Sequence, residues 1–316
     1  MFLFFAFLLA CETDKPLYEQ ICTGNDASCC ALTSCDISVQ LDGEQGIDMV
    51  LISVEQEPLG RYSLRQDFYM MTTEVTQGMF YQVMKYNSFD GYYASSGHGA
   101  DYPAYFVNWH MAADFANKLT AYHNSKYGST LQNCYQCSSS GFPRVSCEES
   151  IDPYQCSGYR LPTDAEWEFA ARSGTASAFW TGEGPEKGGA YSFDICSSSV
   201  LIEDDSQNPR LSDYAWFCYT NSSQPVGQLL PNGFGLYDMH GNIWEWTADW
   251  FGCSFPVDAQ DPFCASVATT RVGRGGAYSI FPSYTQASGR YFADPARRDS
   301  SIGFRLVRND KQNDKQ

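Results

Sequence analysis

Thirteen cysteines in 316 residues constrain this chain more than any other feature. A cytosolic protein rarely carries so many thiols unless they are spaced to bind metal. That spacing is missing. Cys134-x-x-Cys137 is followed by no second pair of the kind a zinc ribbon needs, and Cys29 and Cys30 are adjacent. The pattern points to disulfides in an exported protein.

The N-terminus agrees. Residues 2–9 read Phe-Leu-Phe-Phe-Ala-Phe-Leu-Leu, too short to span a bilayer but suited to the core of a signal peptide. The run ends Leu8-Leu9-Ala10-Cys11, the pattern of a bacterial lipobox. It predicts cleavage of residues 1–10 and acylation of the Cys11 thiol. An ordinary signal peptide with a chance cysteine is the alternative, and no Lys or Arg precedes the apolar run. Setting Cys11 aside leaves an even number of cysteines for bridges. The expected protein is anchored by lipid on a periplasmic or cell-surface face rather than spanning the membrane.

Charge narrows the partners. With 20 Lys and Arg against 37 Asp and Glu, the net charge of −17 gives no basic footprint for nucleic acid. The carboxylates could serve hard cations such as calcium, or simply solvate the surface.

Residues 11–44 are polar and include Cys22, Cys29, Cys30 and Cys35, which reads as a tether with a small disulfide knot. Strands are expected at Met49–Ile52 and Phe68–Met71. Three helices have legible starts. Thr76 precedes Met79, Phe80, Val83 and Met84. Asn108 precedes an apolar face of Met111, Ala112, Phe115, Ala116, Leu119 and Tyr122. Thr163 and Glu166 form a capping box ahead of Trp167 and Phe169. Cys134, Cys137, Cys147 and Cys156 mark an inserted loop over 125–158, stapled by two disulfides. Without a repeat or a mid-chain linker, 45–308 reads as one domain and 309–316 as a frayed polar tail.

Several blocks then carry a family resemblance. They are Glu74-Val75-Thr76, Val107-Asn108-Trp109, the run from Tyr159-Arg160-Leu161-Pro162-Thr163 to Arg172, Asn232-Gly233-Phe234-Gly235-Leu236-Tyr237-Asp238-Met239-His240-Gly241-Asn242-Ile243-Trp244-Glu245-Trp246, Arg274-Gly275-Gly276, and Ile302-Gly303-Phe304-Arg305. In this order and spacing the chain resembles the formylglycine-generating enzyme (sulfatase-modifying factor) family over about 45–308. The resemblance implies a single α+β domain, loop-rich and distantly similar to C-type lectins. It also implies structural calcium, held by the side chains of Asp238 and Glu245 and the backbone of Gly241 and Ile243. The alternative is that both carboxylates bond backbone amides in turns. Arg274 and Arg305 read as buried, paired arginines.

The resemblance breaks at the chemistry. The family's aerobic members oxidise a sulfatase cysteine at two thiolates that bind copper(I), a soft ion. Aligned on Arg274-Gly275-Gly276, those positions hold Ile280 and Thr285, a nearby serine becomes Ala277, and no cysteine follows Cys264. Copper is therefore not expected. A non-haem iron site is not expected either, because His98, His110, His123 and His240 form no ligand cluster in the sequence. Three functions stay open. One is a non-catalytic binding or scaffold lipoprotein that takes a peptide or surface polymer in the enzyme's cleft. Another is an oxidoreductase acting on protein cysteine. The last is a glycan-binding module.

Overall fold

The computed structural model describes residues 36–310 except 44, 55, 93–95, 140–143, 182–210, 219–221, 254–257 and 267. Cys11 and its lipobox, the cysteines of the expected N-terminal knot and Cys196 lie outside the described residues.

Both expected strands form and lie side by side. β1 is Ile37–Gln40, β2 is Gly46–Ile52, β3 is the short Tyr62–Ser63 and β4 is Phe68–Met71. The first sheet runs β1-β2-β4-β12, all antiparallel, with β12 (Val307–Asn309) closing against β4. This corrects both ends of the domain as read from sequence. The stretch assigned to a tether already contributes β1, where Val39 is buried on the sheet's inner face. Asn309, assigned to the tail, is a buried strand residue whose amide donates to the carbonyls of Pro153 and Cys156 at 2.9 and 2.8 Å.

The three helices start where their caps predict. α1 (Gln77–Met84) follows Thr76, α2 (Trp109–Tyr127) follows Asn108, and α3 (Asp164–Arg172) follows Thr163. In each, the cap oxygen accepts the backbone N–H three residues on, satisfying an amide that the helix leaves without a partner. The apolar face of α2 is buried from Met111 to Leu119. Phe80 of α1 stacks on Phe115 at 5.7 Å, and Phe115 meets Phe304 edge-on at 5.2 Å.

The insertion after α2 is more ordered than a loop. β5 (Tyr135–Ser139) and β6 (Val145–Glu149) form a hairpin with Cys137 directly opposite Cys147. Disulfides join that pair, and Cys134 to Cys156 at the hairpin's base.

A second sheet, β10-β9-β7-β11, carries the tryptophan-rich block Trp244–Trp250 at its centre. β7 is Trp244–Trp250, β8 (Ala259–Gln260) pairs with β3, β9 is Arg271–Arg274, β10 is Tyr291–Ala293 and β11 is Ile302–Gly303. β7 is buried at every position but its last. It is covered on both faces, so it shows no polar/apolar alternation. A third bridge, Cys253–Cys264, spans the turn after it. Among the described residues no helix is long and apolar enough to cross a membrane.

Candidate functional site

Polar residues on a strand buried on both faces need partners: on β7, Asp249 accepts the amides of Asp164 and Cys264, and Glu245 pairs with an arginine. Glu245 is fully buried and receives Arg305 Nε at 2.9 and 2.8 Å on its two oxygens, Nη2 at 2.7 Å, and the Trp167 indole N–H at 2.8 Å. The remaining guanidinium N–H groups reach the carbonyls of Met71, Thr72 and Tyr237. Arg305 therefore ties the first sheet, β7 and the glycine-rich turn before β7 into one unit. It is buried and paired, as its place in the Ile302–Arg305 block suggests.

The acidic residues of α3 repeat the device. Arg160 grips Glu166 at 2.7 and 2.6 Å, while a Glu166 oxygen also accepts the Thr163 amide at 2.8 Å. Glu168 receives Arg172, Arg61 and Arg274. Burial opposes its ionisation, but those guanidinium groups overcome it and hold the carboxyl at about 2. Arg274 also bonds Asp164, and Arg290 reaches the same carboxylate at 3.0 Å. The capping box was legible in the sequence. The ion pairs that Arg61, Arg274 and Arg290 make with α3 were not, because those arginines come from distant segments.

Asp238 is placed differently. It sits in the left-handed region at φ 61°, and its Oδ2 accepts the Gly227 amide at 2.8 Å. Its other oxygen lies with the carboxyl of Glu74, and no N–H reaches either. Burial and the Asp238 charge push Glu74 well above the usual carboxylate range, which favours its protonated form beside Asp238. Burial also raises Asp238 to about 6. Glu74 was read only as part of a family block. No feature of the sequence marks it as the proton-bearing partner of a residue far along the chain.

These contacts bear on the expected calcium ligands. A carboxylate offers about four acceptor sites, and those of Glu245 are occupied by Arg305 and Trp167. A guanidinium already supplies the positive charge. Gly241 and Ile243 lie buried nearby, and Gly241 has no room for a side chain because a Cβ would fall 2.1 Å from the Trp216 carbonyl oxygen. Among the described residues no group of three or more His, Cys, Asp or Glu side chains has a metal-holding arrangement. Of the four expected ligands, Glu245 is engaged by Arg305 and Trp167, whereas Asp238 Oδ1 is buried without a hydrogen-bond partner.

The positions aligned with the copper ligands are packed. Ala277 and Thr285 are fully buried. The Thr285 hydroxyl donates to the Pro282 carbonyl at 3.0 Å, and its methyl sits where a side chain on Gly276 would be, 2.5 Å from a Cβ built there. Gly276, at φ 86°, is the residue that allows this approach. The buried His240 ring donates from Nδ1 to the Thr285 carbonyl at 2.9 Å. Burial lowers its pKa to about 4, so the imidazole is neutral. Ile280 is half-buried, and its carbonyl accepts the Cys218 amide at 2.9 Å. Cys218 is disulfide-bonded and offers no thiolate. Copper(I) finds no soft donor among these residues.

Around this packed centre the surface is aromatic. Phe281 and Tyr284, at the two sides of the turn Pro282–Tyr284, are 39% and 55% exposed, and Phe292 of β10 is 55% exposed. The model of the sulfatase-modifying factor enzyme 1-like domain matches residues 38–310, nearly all of the described chain. This chain belongs to the sulfatase-modifying factor family. The family domain begins with β1 and runs past β12, in agreement with both corrected boundaries.

Relatives within the family differ in role. The formylglycine-generating enzyme of Streptomyces coelicolor is 32% identical over 52% of this chain and 51% of its own length. The chain thus spans about half the length of the formylglycine-generating enzymes it matches. The chaperone protein LppX of Paenibacillus barcinonensis is 27% identical over 77% of this chain and 80% of its own. Among solved structures, Treponema denticola variable protein 1 superposes with a TM-score of 0.63 at 28% identity, covering 88% of this chain and all of that one. CarF gives 0.53 at 25% identity, with 84% and 99% covered.

Proposed function

We propose that this sulfatase-modifying factor domain is a non-catalytic binding protein, exported and lipid-anchored through Cys11, which holds a peptide segment of another protein against Phe281 and Tyr284. The observation that carries this reading is the pairing of a filled centre with an exposed aromatic rim. Ile280 and Thr285 stand where an oxidase needs thiolates, and Ala277 where it has a serine, while Phe281 and Tyr284 are large aromatic groups left open to solvent. Aromatic side chains are the usual anchors of protein interfaces. The chaperone relative, matched over most of its length, supports a role in holding another protein.

The test has two arms. Copper-loaded protein, oxygen and a Cys-x-Pro-x-Arg peptide should give no aldehyde by mass spectrometry, and catalytic turnover would restore the oxidoreductase reading. A tiled array of peptides from exported proteins should show binding that the double variant Phe281→Ser, Tyr284→Ser weakens by about tenfold. Equal binding by the variant would remove the proposed face. Anchoring is tested separately by fatty-acid labelling in the host, which Cys11→Ser should abolish.

A further inference from the structure

We propose that an uncharged groove, between α1 and the segments 87–89 and 98–100, binds one ring of a neutral saccharide. The groove holds about 200 Å³ and is lined by Gln77, Tyr81, Asn87, Phe89, His98 and Gly99, among others. It is smaller than the roughly 300–1,000 Å³ of drug-sized ligand sites, and a single ring is the scale it suits.

Its chemistry selects the ligand class. No carboxylate or cationic side chain lines it, in a chain with a net charge of −17. A charged ligand would find no counter-charge and would lose its hydration. Two aromatic walls face a rim of polar groups. Tyr81 is 52% exposed, and among the described residues its hydroxyl has no partner. Phe89 meets the exposed His98 ring edge-on at 5.2 Å. The Asn87 amide nitrogen lies 3.3 Å from Asp90, which leaves its oxygen for a ligand. A pyranose ring presents apolar C–H faces for aromatic walls and hydroxyl edges for an amide, a phenol and an imidazole. A purely apolar side chain would leave that rim unmatched.

The groove is also built in advance. Gln77 donates to the carbonyls of Gly97 and Pro103 at 3.1 and 3.2 Å and accepts the Gly99 amide at 3.2 Å. The backbone of Gly78 donates to Ala100 at 2.9 Å. Gly97, at φ 97°, lies against the Tyr102 ring, 2.4 Å from any Cβ placed there. Phe89 is backed by Tyr105 at 6.2 Å. Walls fixed before binding lower the ordering cost of association.

The experiment uses the folded chain with three neutral probes, cellohexaose, maltohexaose and hexa-N-acetylchitohexaose, and a heparin hexasaccharide as the anionic one. Saturation-transfer NMR and calorimetry should show binding of at least one neutral probe. Tyr81→Ala should weaken it by about tenfold with an unchanged melting temperature, and Asn87→Ala by several-fold. The proposal is overturned if no neutral probe binds, if Tyr81→Ala binds as the wild type does, or if only heparin binds. None of these outcomes depends on the peptide-binding face at Phe281 and Tyr284.

Discussion

Arg305 shows how one residue can hold this fold together. It is fully buried, it neutralises Glu245, and it bonds three backbone carbonyls from two segments. Removing one partner of a buried pair leaves an uncompensated charge, which typically costs about 3–5 kcal/mol. Arg305→Met should therefore lower stability by about that amount in denaturant unfolding, and a loss below about 1 kcal/mol would contradict the assignment. His240 gives a pH-dependent counterpart. Its folded pKa, near 4, lies below the ordinary 6.5, so the unfolded chain takes up the proton first. Stability from this group is complete above pH 6.5 and is lost as pH falls toward 4. The full shift corresponds to roughly 3 kcal/mol. Buried carboxyls such as Asp249, raised to about 7, act in the opposite direction. The readout is therefore the difference between wild type and His240→Gln across that window. Parallel pH curves would remove His240 from the account.

At the scale of elements, the hairpin β5–β6 depends on covalent as well as tertiary support. An isolated two-stranded hairpin is marginal in water. Here Cys137–Cys147 crosses it and Cys134–Cys156 closes its base, while α2 packs beneath it through Tyr135 and Trp109 at 5.6 Å. The buried guanidinium of Arg271 lies between the Trp109 and Trp250 rings, at 3.8 and 3.7 Å, and pairs with Glu149 at the end of β6. The double variant Cys134→Ser, Cys156→Ser should cost about 2–4 kcal/mol. Thermal melting should show the fall, and an unchanged transition would mean that packing alone fixes the hairpin. The sequence announced two bridges here through its four cysteines. The strands were hidden because Ser and Cys dominate them, and neither gives a clear apolar alternation.

For the whole molecule, the arrangement of charge decides what stabilises it. Glu245 is satisfied by Arg305, and burial raises the pKa of both Glu74 and Asp238. With Glu245 occupied by Arg305, chelation should leave the melting temperature within about 1 °C, since only a ligand that binds the folded state adds stability. A fall of several degrees, reversed by calcium, would show that the ion displaces Arg305 from Glu245. The same architecture explains why a formal charge of −17 is compatible with so many buried acids. Glu166, Glu168, Asp164 and Glu245 each have an arginine partner in the interior.

The sequence by itself determined the family, the helix starts at Thr76, Asn108 and Thr163, the strands around Met49–Ile52 and Phe68–Met71, and the absence of thiolates at Ile280 and Thr285. These are local signals, carried by capping residues, apolar runs and residue identity within a few positions. Only the tertiary structure decided the rest. It paired β12 with β4, which drew Asn309 into the core and made β1 part of the domain. It gave Glu245 to Arg305 and Asp238 to Glu74, and it set Tyr81 beside Phe89 and His98 in one groove. Such partners stand 60 or more positions apart in the first pair and further still in the second. No periodicity or motif encodes which buried charge meets which, because that choice is made by the packing that excludes water from both.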